Sequence, residues 1–108
     1  MNTRVKQITP EELKEMQKSG GVKLIDVREK REWDYCNIDG AELIPVQNIQ
    51  SADIDADEDE TIVVYCHTGQ RSFFATQILM KRGYENVFNL QGGIDAYSNR
   101  VDPEIPRY

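Results

Sequence analysis

The hydrophobic pattern of the chain alternates between short apolar runs and amphipathic stretches. The strongest apolar run is 61–65, five β-forming residues in succession, and it predicts a buried strand. Shorter apolar runs predict three more strands, at 22–27, 41–45 and 86–90. The second of these ends at a proline, which cannot donate a hydrogen bond to a neighbouring strand. The stretch 46–60 is polar and acidic and predicts at most one helical turn.

Four helices are predicted between and after these strands. The first begins at Thr9, which can form a capping box with Glu12, and ends near Lys18 before two glycines. Leu13 and Met16 form its buried side. The other three helices are predicted over 29–35, 71–82 and 94–99, each with approximate ends.

Two of these helices have recognisable apolar positions. In the helix over 29–35, Trp33 is the expected anchor to the core. In the helix over 71–82, four apolar residues share one face, namely Phe74, Ala75, Ile78 and Leu79. The tail 101–108 contains two prolines and is expected to be extended.

Short apolar strands that alternate with helices are typical of an α/β fold. Because parallel strands need crossover connections, this order predicts a mostly parallel sheet of about five short strands with helices on both faces. The chain has 108 residues, which suits one domain. We therefore expect a three-layer α/β fold in a single domain over 1–108.

The charge of the chain narrows the classes of partner. It has 13 basic and 19 acidic residues, a formal net charge of −6, and six of the acids lie in 53–60. General binders of nucleic acid or anionic membranes normally have a basic excess, so the sequence predicts no nucleic-acid and no membrane partner. It also has no apolar stretch near the roughly 20 residues that span a bilayer and no secretory signal, so we expect a cytoplasmic protein.

The cysteines, the histidine and the acidic run predict no metal site and no cofactor. Cys36 and Cys66 are expected to be free thiols in a reducing compartment, and with only His67 beside them they cannot complete a four-ligand zinc site. Alternating aspartates in the acidic run resemble the start of a calcium-binding EF-hand loop. That loop, however, requires glycine where Glu58 lies and a glutamate where Val64 lies, so a solvated loop is expected.

The candidate chemistry is concentrated in the loop after the strongest strand. In open parallel sheets, ligands bind at the carboxyl ends of the strands, beside the first turns of helices. Cys66 is the first residue after this strand, and the loop 66–71 leads into the next helix. Such a loop can turn several backbone N–H groups toward one point, and Gly69 gives the freedom for that bend. A cysteine facing these groups is expected to be a reactive thiolate beside a small anion, with an inert buried thiol as the alternative.

Three other side chains of this segment are candidates for the site. Arg71 would add positive charge at the closing end of the loop, and Ser72 could donate a hydrogen bond. His67 could act as a base or line the substrate pocket. The second role is favoured because the backbone of His67 lies inside the tight loop.

Four segments, in the same order and at matching spacing, resemble the rhodanese family of sulfurtransferases. They are LIDVRE at 24–29, EW at 32–33 with NIDGA at 37–41, IVVYCHTGQRS at 62–72, and LQGGIDAY at 90–97. Within them, Asn37, Asp39 and Tyr97 replace the usual histidine, proline and tryptophan of the family. These departures lie outside the loop of Cys66 and leave the implied catalytic role in place.

The resemblance implies a rhodanese-like fold and a sulfur-transfer reaction. In rhodaneses the loop cysteine takes a sulfane sulfur from a donor such as thiosulfate, holds it as a persulfide, and passes it to a thiophilic acceptor. Carried over, Cys66 is the nucleophile, and Arg71 orients a small anionic sulfur donor. The substrate pocket then consists of His67, Thr68, Gly69, Gln70, Arg71 and Ser72, whose backbone N–H groups stabilise the charged sulfur. Asp26 and Arg28 are interpreted as a structural ion pair.

The resemblance leaves alternatives for the acceptor and for the chemistry. The ending 101–108 is similar to that of rhodanese domains fused to sulfur-carrier adenylyltransferases, so a relay module that serves a protein sulfur acceptor is the alternative to an enzyme with small-molecule turnover. Related phosphatases have a longer loop between cysteine and arginine. The four residues between Cys66 and Arg71 therefore favour sulfur transfer. Cys36 could accept the persulfide as a second thiol, but an incidental free cysteine is favoured.

Overall fold

The computed structural model of the protein describes residues 4–108, which build a five-stranded parallel sheet. Its strands are β1 (Lys6–Ile8), β2 (Val22–Asp26), β3 (Ala41–Leu43), β4 (Thr61–Tyr65) and β5 (Asn86–Leu90), in the spatial order β1-β5-β4-β2-β3. Its helices are α1 (Pro10–Ser19), α2 (Lys30–Tyr35), α3 (Gln70–Lys81) and α4 (Gly93–Arg100), with a short 3₁₀ turn at Val46–Asn48. The predicted α/β fold with a mostly parallel sheet is confirmed.

Helices cover the two faces of the sheet and bury two hydrophobic clusters. The α1/α4-side cluster contains Leu13 of α1 and Ile94 of α4, whereas the α3-side cluster contains Leu79 of α3. Because side chains of a strand alternate between faces, β4 contributes to both clusters. Val63 and Tyr65 belong to the α1/α4-side cluster, and Ile62 and Val64 belong to the α3-side cluster.

The start of α1 follows its sequence signals. Thr9 caps the helix through its hydroxyl, which accepts the N–H of Glu12 at 3.1 Å, and the Glu12 carboxylate accepts the N–H of Thr9 at 2.8 Å. The helix ends at Gly20, whose φ of 80° is the left-handed conformation that glycine adopts without a steric cost. The predicted capping box and the burial of Leu13 are confirmed.

The sequence pattern did not predict β1. Lys6 and Gln7 are exposed, and only Ile8 is buried, so the three residues form no apolar run. The strand is held by its parallel pairing to β5, in which Ile8 lies opposite Leu90. An edge strand of this length is fixed by its neighbour and has no periodicity of its own.

The buried face of α3 differs from the predicted one. Ala75 and Leu79 are buried as expected, but Phe74 is 58% exposed, and that part of the prediction is wrong. Ser72 and Thr76 occupy the other buried positions of the helix. The Thr76 hydroxyl donates to the Ser72 carbonyl at 2.7 Å, which satisfies the polar group inside the core.

Trp33 is not a core anchor for α2. None of the residues of α2 is fully buried, and Trp33 is half-buried and belongs to neither hydrophobic cluster. The helix instead begins with a capping box between Glu29 and Glu32. The Glu32 carboxylate also makes the longer-range contacts described below.

The acidic segment before β4 is only partly solvated. Ala52, Ile54 and Ala56 are half-buried and pack against the α3-side cluster, while the intervening acids are exposed. These packed apolar side chains explain how the segment keeps a fixed position although it contains no regular strand. The expectation of a solvated loop therefore applies to the acidic side chains alone.

Candidate active site

Cys66 lies at the carboxyl end of the central strand β4, where the neighbouring strands also end. Asp26 at the end of β2 pairs with Tyr65, and Asn89 near the end of β5 pairs with Val64. The register therefore brings β2, β4 and β5 to one edge of the sheet with Cys66 between them. Cys66 is buried, with 1% of its surface exposed.

The sulfur of Cys66 has two hydrogen-bond partners in the following loop and helix. The backbone N–H of Gly69 donates to Sγ at 3.1 Å, and the Ser72 hydroxyl lies within hydrogen-bond distance at 3.3 Å. Gly69 has a φ of 112°, a backbone conformation that residues with a side chain rarely adopt. This bend turns its N–H toward the sulfur. The sequence analysis expected several backbone N–H groups of the loop to face the sulfur, and among residues 4–108 Gly69 is the one whose N–H is hydrogen-bonded to it.

Asn89 of β5 is a buried polar residue that holds both partners of the sulfur. Its Oδ1 accepts the Ser72 hydroxyl, and its Nδ2 donates to the Gly69 carbonyl at 3.1 Å. A second contact of Nδ2 reaches the side chain of Gln7 at 3.3 Å. The Ser72 hydroxyl has one proton, which it can give either to Asn89 or to the sulfur of Cys66. Asn89 thereby fixes the loop from the adjacent strand.

The start of α4 supports the loop from the other side. The N–H of Ile94 donates to the Cys66 carbonyl at 2.9 Å, and the N–H of Asp95 donates to the His67 carbonyl at 3.0 Å. This approach requires glycine at position 93, because a Cβ there would lie 2.3 Å from the His67 carbonyl oxygen. Gly93, the first residue of α4, therefore lets the helix dock directly on the backbone of the loop.

Arg71 is engaged by a carboxylate that the sequence analysis did not include in the site. Its Nη1 and Nη2 donate to the two oxygens of Glu32 at 2.7 Å and 3.0 Å. The bonds from Arg71 hold the pKa of Glu32 down to about 2, while burial opposes this shift. The same pair raises the pKa of Arg71. The role of Arg71 in orienting an anionic donor stays a prediction, and the positive charge of its side chain is already balanced.

Tyr108 closes this side of the site. Its ring stacks on the His67 ring, with centroids 3.9 Å apart and planes 11° from parallel. Its hydroxyl donates to Glu32 at 2.7 Å and accepts from Arg28 at 2.8 Å. Burial raises the pKa of Tyr108 to about 12, so the hydroxyl keeps its proton at neutral pH. Among residues 4–108, His67 Nε2 is buried without a hydrogen-bond partner.

Asp26 and Arg28 form a fully buried ion pair beneath Tyr108. Arg28 Nη2 donates to Asp26 at 2.7 Å, and both side chains are 0% exposed. Although burial opposes its charge, hydrogen bonds with Asp26 and Tyr108 raise the pKa of Arg28. Nη2 also donates to the Cys36 carbonyl at 2.6 Å, which ties the end of α2 to β2. The interpretation of Asp26 and Arg28 as a structural ion pair is confirmed.

Cys36 and Cys66 lie on opposite sides of the sheet. Cys36 belongs to the α1/α4-side cluster and Cys66 to the α3-side cluster, and both are buried free thiols. The two side chains therefore pack in different hydrophobic clusters. This placement favours an incidental Cys36 over a second thiol that receives sulfur from Cys66.

The structure gathers the predicted loop residues but gives them different environments. Gly69 and Ser72 contact the sulfur, and Thr68 and Gln70 are exposed at the rim of the loop. Sequence reasoning missed three residues that contact the loop or the side chains of the site, namely Glu32, Asn89 and Tyr108. The one available signal for Asn89 was a polar residue between the apolar residues Phe88 and Leu90 of a predicted strand.

Residues 4–108 contain no group of three or more histidine, cysteine, aspartate or glutamate side chains that could hold a metal ion. None of the helices in this part of the chain has the length and apolar character needed to cross a membrane.

Sequence relatives match this chain over most of its length. The family of rhodanese-like domains matches residues 9–100. The probable adenylyltransferase/sulfurtransferase MoeZ of Mycobacterium tuberculosis is 42% identical over 104 residues, which cover 94% of this chain and 26% of MoeZ. The thiosulfate sulfurtransferase GlpE of Haemophilus influenzae is 35% identical over 92 residues, which cover 85% of this chain and 87% of GlpE. The chain thus corresponds to about a quarter of MoeZ and to most of GlpE.

Solved structures show the same fold. The human single-domain sulfurtransferase TSTD1 superposes with a TM-score of 0.84 at 25% identity, covering 90% of this chain and 98% of TSTD1. The reduced CoADR-RHD protein of Bacillus anthracis superposes with a TM-score of 0.82 at 31% identity, covering 94% of this chain and 18% of that protein. From the family match and these relatives, the chain belongs to the rhodanese-like family of sulfurtransferase domains.

Proposed function

We propose that this protein is a sulfurtransferase that moves a sulfane sulfur through a persulfide on Cys66. The observation that carries the proposal is the position of the Cys66 sulfur at the end of β4, within reach of the Gly69 N–H and the Ser72 hydroxyl. Hydrogen-bond donors aimed at a sulfur stabilise its anionic form, which is the nucleophile. Similarity to a thiosulfate sulfurtransferase supports the same reaction class.

In the first half-reaction, the Cys66 thiolate attacks the sulfane sulfur of the donor. With thiosulfate, a bond forms between the two sulfurs, the donor S–S bond breaks, and its electron pair leaves with sulfite. With an organic persulfide, the leaving group is a thiolate, which takes up a proton from water. Both routes leave Cys66 as a persulfide and need no external oxidant or reductant.

In the second half-reaction, a thiophilic acceptor attacks the outer sulfur of the persulfide. The acceptor is cyanide in an assay or a thiol in a cell, and Cys66 leaves as the thiolate. The Gly69 N–H that faces the sulfur in the resting site would stabilise this leaving group as well. Asn89 and the start of α4 act on the reaction by holding the loop in place.

The proposal is tested by measuring thiocyanate formed from cyanide with thiosulfate or an organic persulfide as donor. Wild-type protein is expected to turn over with at least one donor, and Cys66→Ser is expected to lose the activity completely. Cys36→Ser is the matched control, since it removes the other buried thiol on the opposite side of the sheet, and it should retain the rate. Equal activity of the wild-type and Cys66→Ser proteins would overturn the proposal.

A relay module that serves a protein acceptor is the second candidate. Phe73 and Phe74 are 40% and 58% exposed in the first turns of α3, directly after the loop of Cys66. Exposed aromatic pairs of this kind are common in protein interfaces. The 42% identity to MoeZ, which is named as both an adenylyltransferase and a sulfurtransferase, also favours a relay module. Rapid persulfide formation followed by slow release to small thiols would support a relay, and fast steady-state turnover with small thiols would count against it.

A further inference from the structure

A pocket lined by two tyrosines lies beside the loop of Cys66. It has a volume of about 390 Å³ and is formed by Arg31, Glu32, Tyr35 and Tyr108. The two rings meet edge to face, with centroids 5.9 Å apart and planes at 81°. Pockets of about 300 Å³ or more can hold a small organic molecule. We name this space the tyrosine pocket.

The tyrosine pocket shares two of its walls with the candidate active site. Tyr108 stacks on His67, the residue that follows Cys66, and Glu32 binds the guanidinium of Arg71. A molecule in the pocket would therefore lie against the same side chains that border the loop. The residues that form the pocket come from α2 and from position 108, which are far apart in sequence.

The charges around the pocket leave one cation uncommitted. Both oxygens of Glu32 are bound by Arg71, and one of them also accepts the Tyr108 hydroxyl. Arg31 is exposed on α2, and its side chain makes no hydrogen bond or ion pair with the other residues of 4–108. An anionic group that enters the pocket would thus meet Arg31, because Arg71 is already paired.

A small thiol persulfide with a carboxylate matches these features better than an inorganic donor does. Its carbon skeleton would pack on the rings of Tyr35 and Tyr108, which thiosulfate cannot exploit. Its carboxylate would form charge-assisted hydrogen bonds with Arg31. Because Tyr108 stacks on His67, a sulfur at the Tyr108 end of the bound molecule would lie nearest the loop of Cys66.

We propose that the tyrosine pocket binds the organic part of a small carboxylate-bearing thiol persulfide, with the carboxylate on Arg31 and the sulfane sulfur directed to Cys66. The proposal rests on the proposed sulfurtransferase function and names its donor class. The Cys66 thiolate attacks the outer sulfur of R–S–SH, a new S–S bond forms to Cys66, and the bond between R–S and the outer sulfur breaks. Its electron pair leaves with R–S⁻, and the proton of the outer sulfur stays on the new Cys66 persulfide or passes to R–S⁻.

The kinetic test uses two donors that differ in one group, N-acetylcysteine persulfide and N-acetylcysteinamide persulfide. Arg31→Gln is expected to lower kcat/KM for the carboxylate donor about tenfold and to leave the amide donor within about twofold. Arg31→Lys should retain part of the preference, since it keeps the charge and loses the fork geometry. Lys14→Gln is the control, because it removes one exposed positive charge on α1, away from the pocket.

A binding measurement makes the test independent of turnover. N-acetyl-S-methylcysteine has the same carboxylate but no transferable sulfur, and it can be titrated into ¹⁵N-labelled protein. Amide shifts are expected at Tyr35 and Tyr108, and the apparent affinity should fall about tenfold in Arg31→Gln. Unchanged circular dichroism of the variant excludes a loss of fold.

The outcomes distinguish a failure of the pocket proposal from a failure of the proposed function. A wild-type protein that is inactive with every donor but binds the thioether at Tyr35 and Tyr108 overturns the proposed function and keeps the pocket as a ligand site. An active protein in which Arg31→Gln affects both donors equally, with no thioether shifts, overturns the pocket proposal. Binding of a peptide carboxyl terminus in place of the thioether would overturn it in favour of a protein acceptor.

Discussion

Asn89 connects the sheet to the reactive loop through a single buried side chain. It accepts from Ser72 and donates to the Gly69 carbonyl, and these two residues are the partners of the Cys66 sulfur. The residue is 1% exposed, so its amide has no bulk water as a substitute partner. A substitution of Asn89 is therefore expected to alter the environment of the Cys66 sulfur through Ser72 and Gly69, although Asn89 does not contact the sulfur itself.

Replacing Asn89 by alanine is expected to slow sulfur transfer and to destabilise the fold by about 1–3 kcal/mol, because the Gly69 carbonyl and the Ser72 hydroxyl lose a buried partner. A merely structural role would leave the intrinsic reactivity of Cys66 unchanged in the folded protein. A positioning role predicts a slower alkylation of Cys66 by iodoacetamide, measured under native conditions in a Cys36→Ser background.

The control for this experiment is Asn86→Ala on the same strand. Asn86 donates to the Asp59 carbonyl at 2.8 Å, an exposed contact before the start of β4. Its replacement should leave both the alkylation rate and kcat/KM unchanged. Equal effects of the two substitutions would contradict a special role for Asn89.

At the scale of elements, the docking of α4 on the loop sets the shape of the site. The helix begins at Gly93, and its next two N–H groups bind the carbonyls of Cys66 and His67. The geometry leaves no room for a side chain at the first residue of the helix. The active-site loop is thus held between β5 and α4 through backbone contacts.

Gly93→Ala is expected to distort the loop and reduce kcat by more than tenfold, because its Cβ would lie 2.3 Å from one backbone oxygen and 2.6 Å from another. Steady-state kinetics and urea unfolding measure the two consequences. Gly21→Ala is the control, since a Cβ there meets no atom within 4 Å and its φ is not positive. Full activity in Gly93→Ala would show that the loop does not need this close approach.

The elements that the sequence predicted are those whose own residues carry the signal. The strand β4 is an apolar run, and the turn after it contains Cys66 and Gly69 in a spacing that short loops use. The capping box of α1 and the burial of Leu13 also depend on neighbours in sequence. In these cases the residues of the element and their sequence neighbours are sufficient to predict it.

The elements that the sequence missed are fixed by distant partners. The strand β1 exists because Ile8 pairs beside Leu90, and Phe74 is exposed because polar Ser72 and Thr76 find buried hydrogen-bond partners. Glu32 reaches the site through Arg71, which lies 39 residues away in sequence. No periodicity or local motif encodes contacts of this length.

At the scale of the whole molecule, one polar network joins four separate segments. It runs from the buried Asp26–Arg28 pair to Tyr108, then to Glu32 and Arg71. The network links β2, α2, α3 and the final segment of the chain. The protonation state of the residues in this network should therefore affect the stability of the whole fold.

The pH dependence of stability tests this network through Glu32. Its pKa is about 2 in the folded protein, below the ordinary value of 4.5, so its stabilising effect is complete above about pH 4.5 and is lost as the pH falls toward 2. The difference in unfolding free energy between wild type and Glu32→Gln should be constant near neutral pH and shrink below about pH 4.5. Urea unfolding at a series of pH values measures it, and a difference that grows on acidification would contradict the assignment.

The net charge of −6 has little bearing on the site. The acidic run precedes Thr61 at one end of β4, whereas Cys66 follows the other end. Five strand residues span about 16 Å, about twice the Debye length at physiological salt. Replacing Asp53, Asp55 and Asp57 by asparagine is expected to change kcat/KM for an anionic donor by less than about twofold, and a larger change would show that the run acts on the donor.

The persulfide on Cys66 is the intermediate on which the proposed function depends. The protein can be incubated with thiosulfate or an organic persulfide, digested without reductant, and analysed by peptide mass spectrometry. The peptide with Cys66 should gain about 32 Da, one sulfur atom, while the peptide with Cys36 stays unmodified. An unmodified Cys66 peptide with every donor, or sulfur found on Cys36 alone, would contradict the proposal.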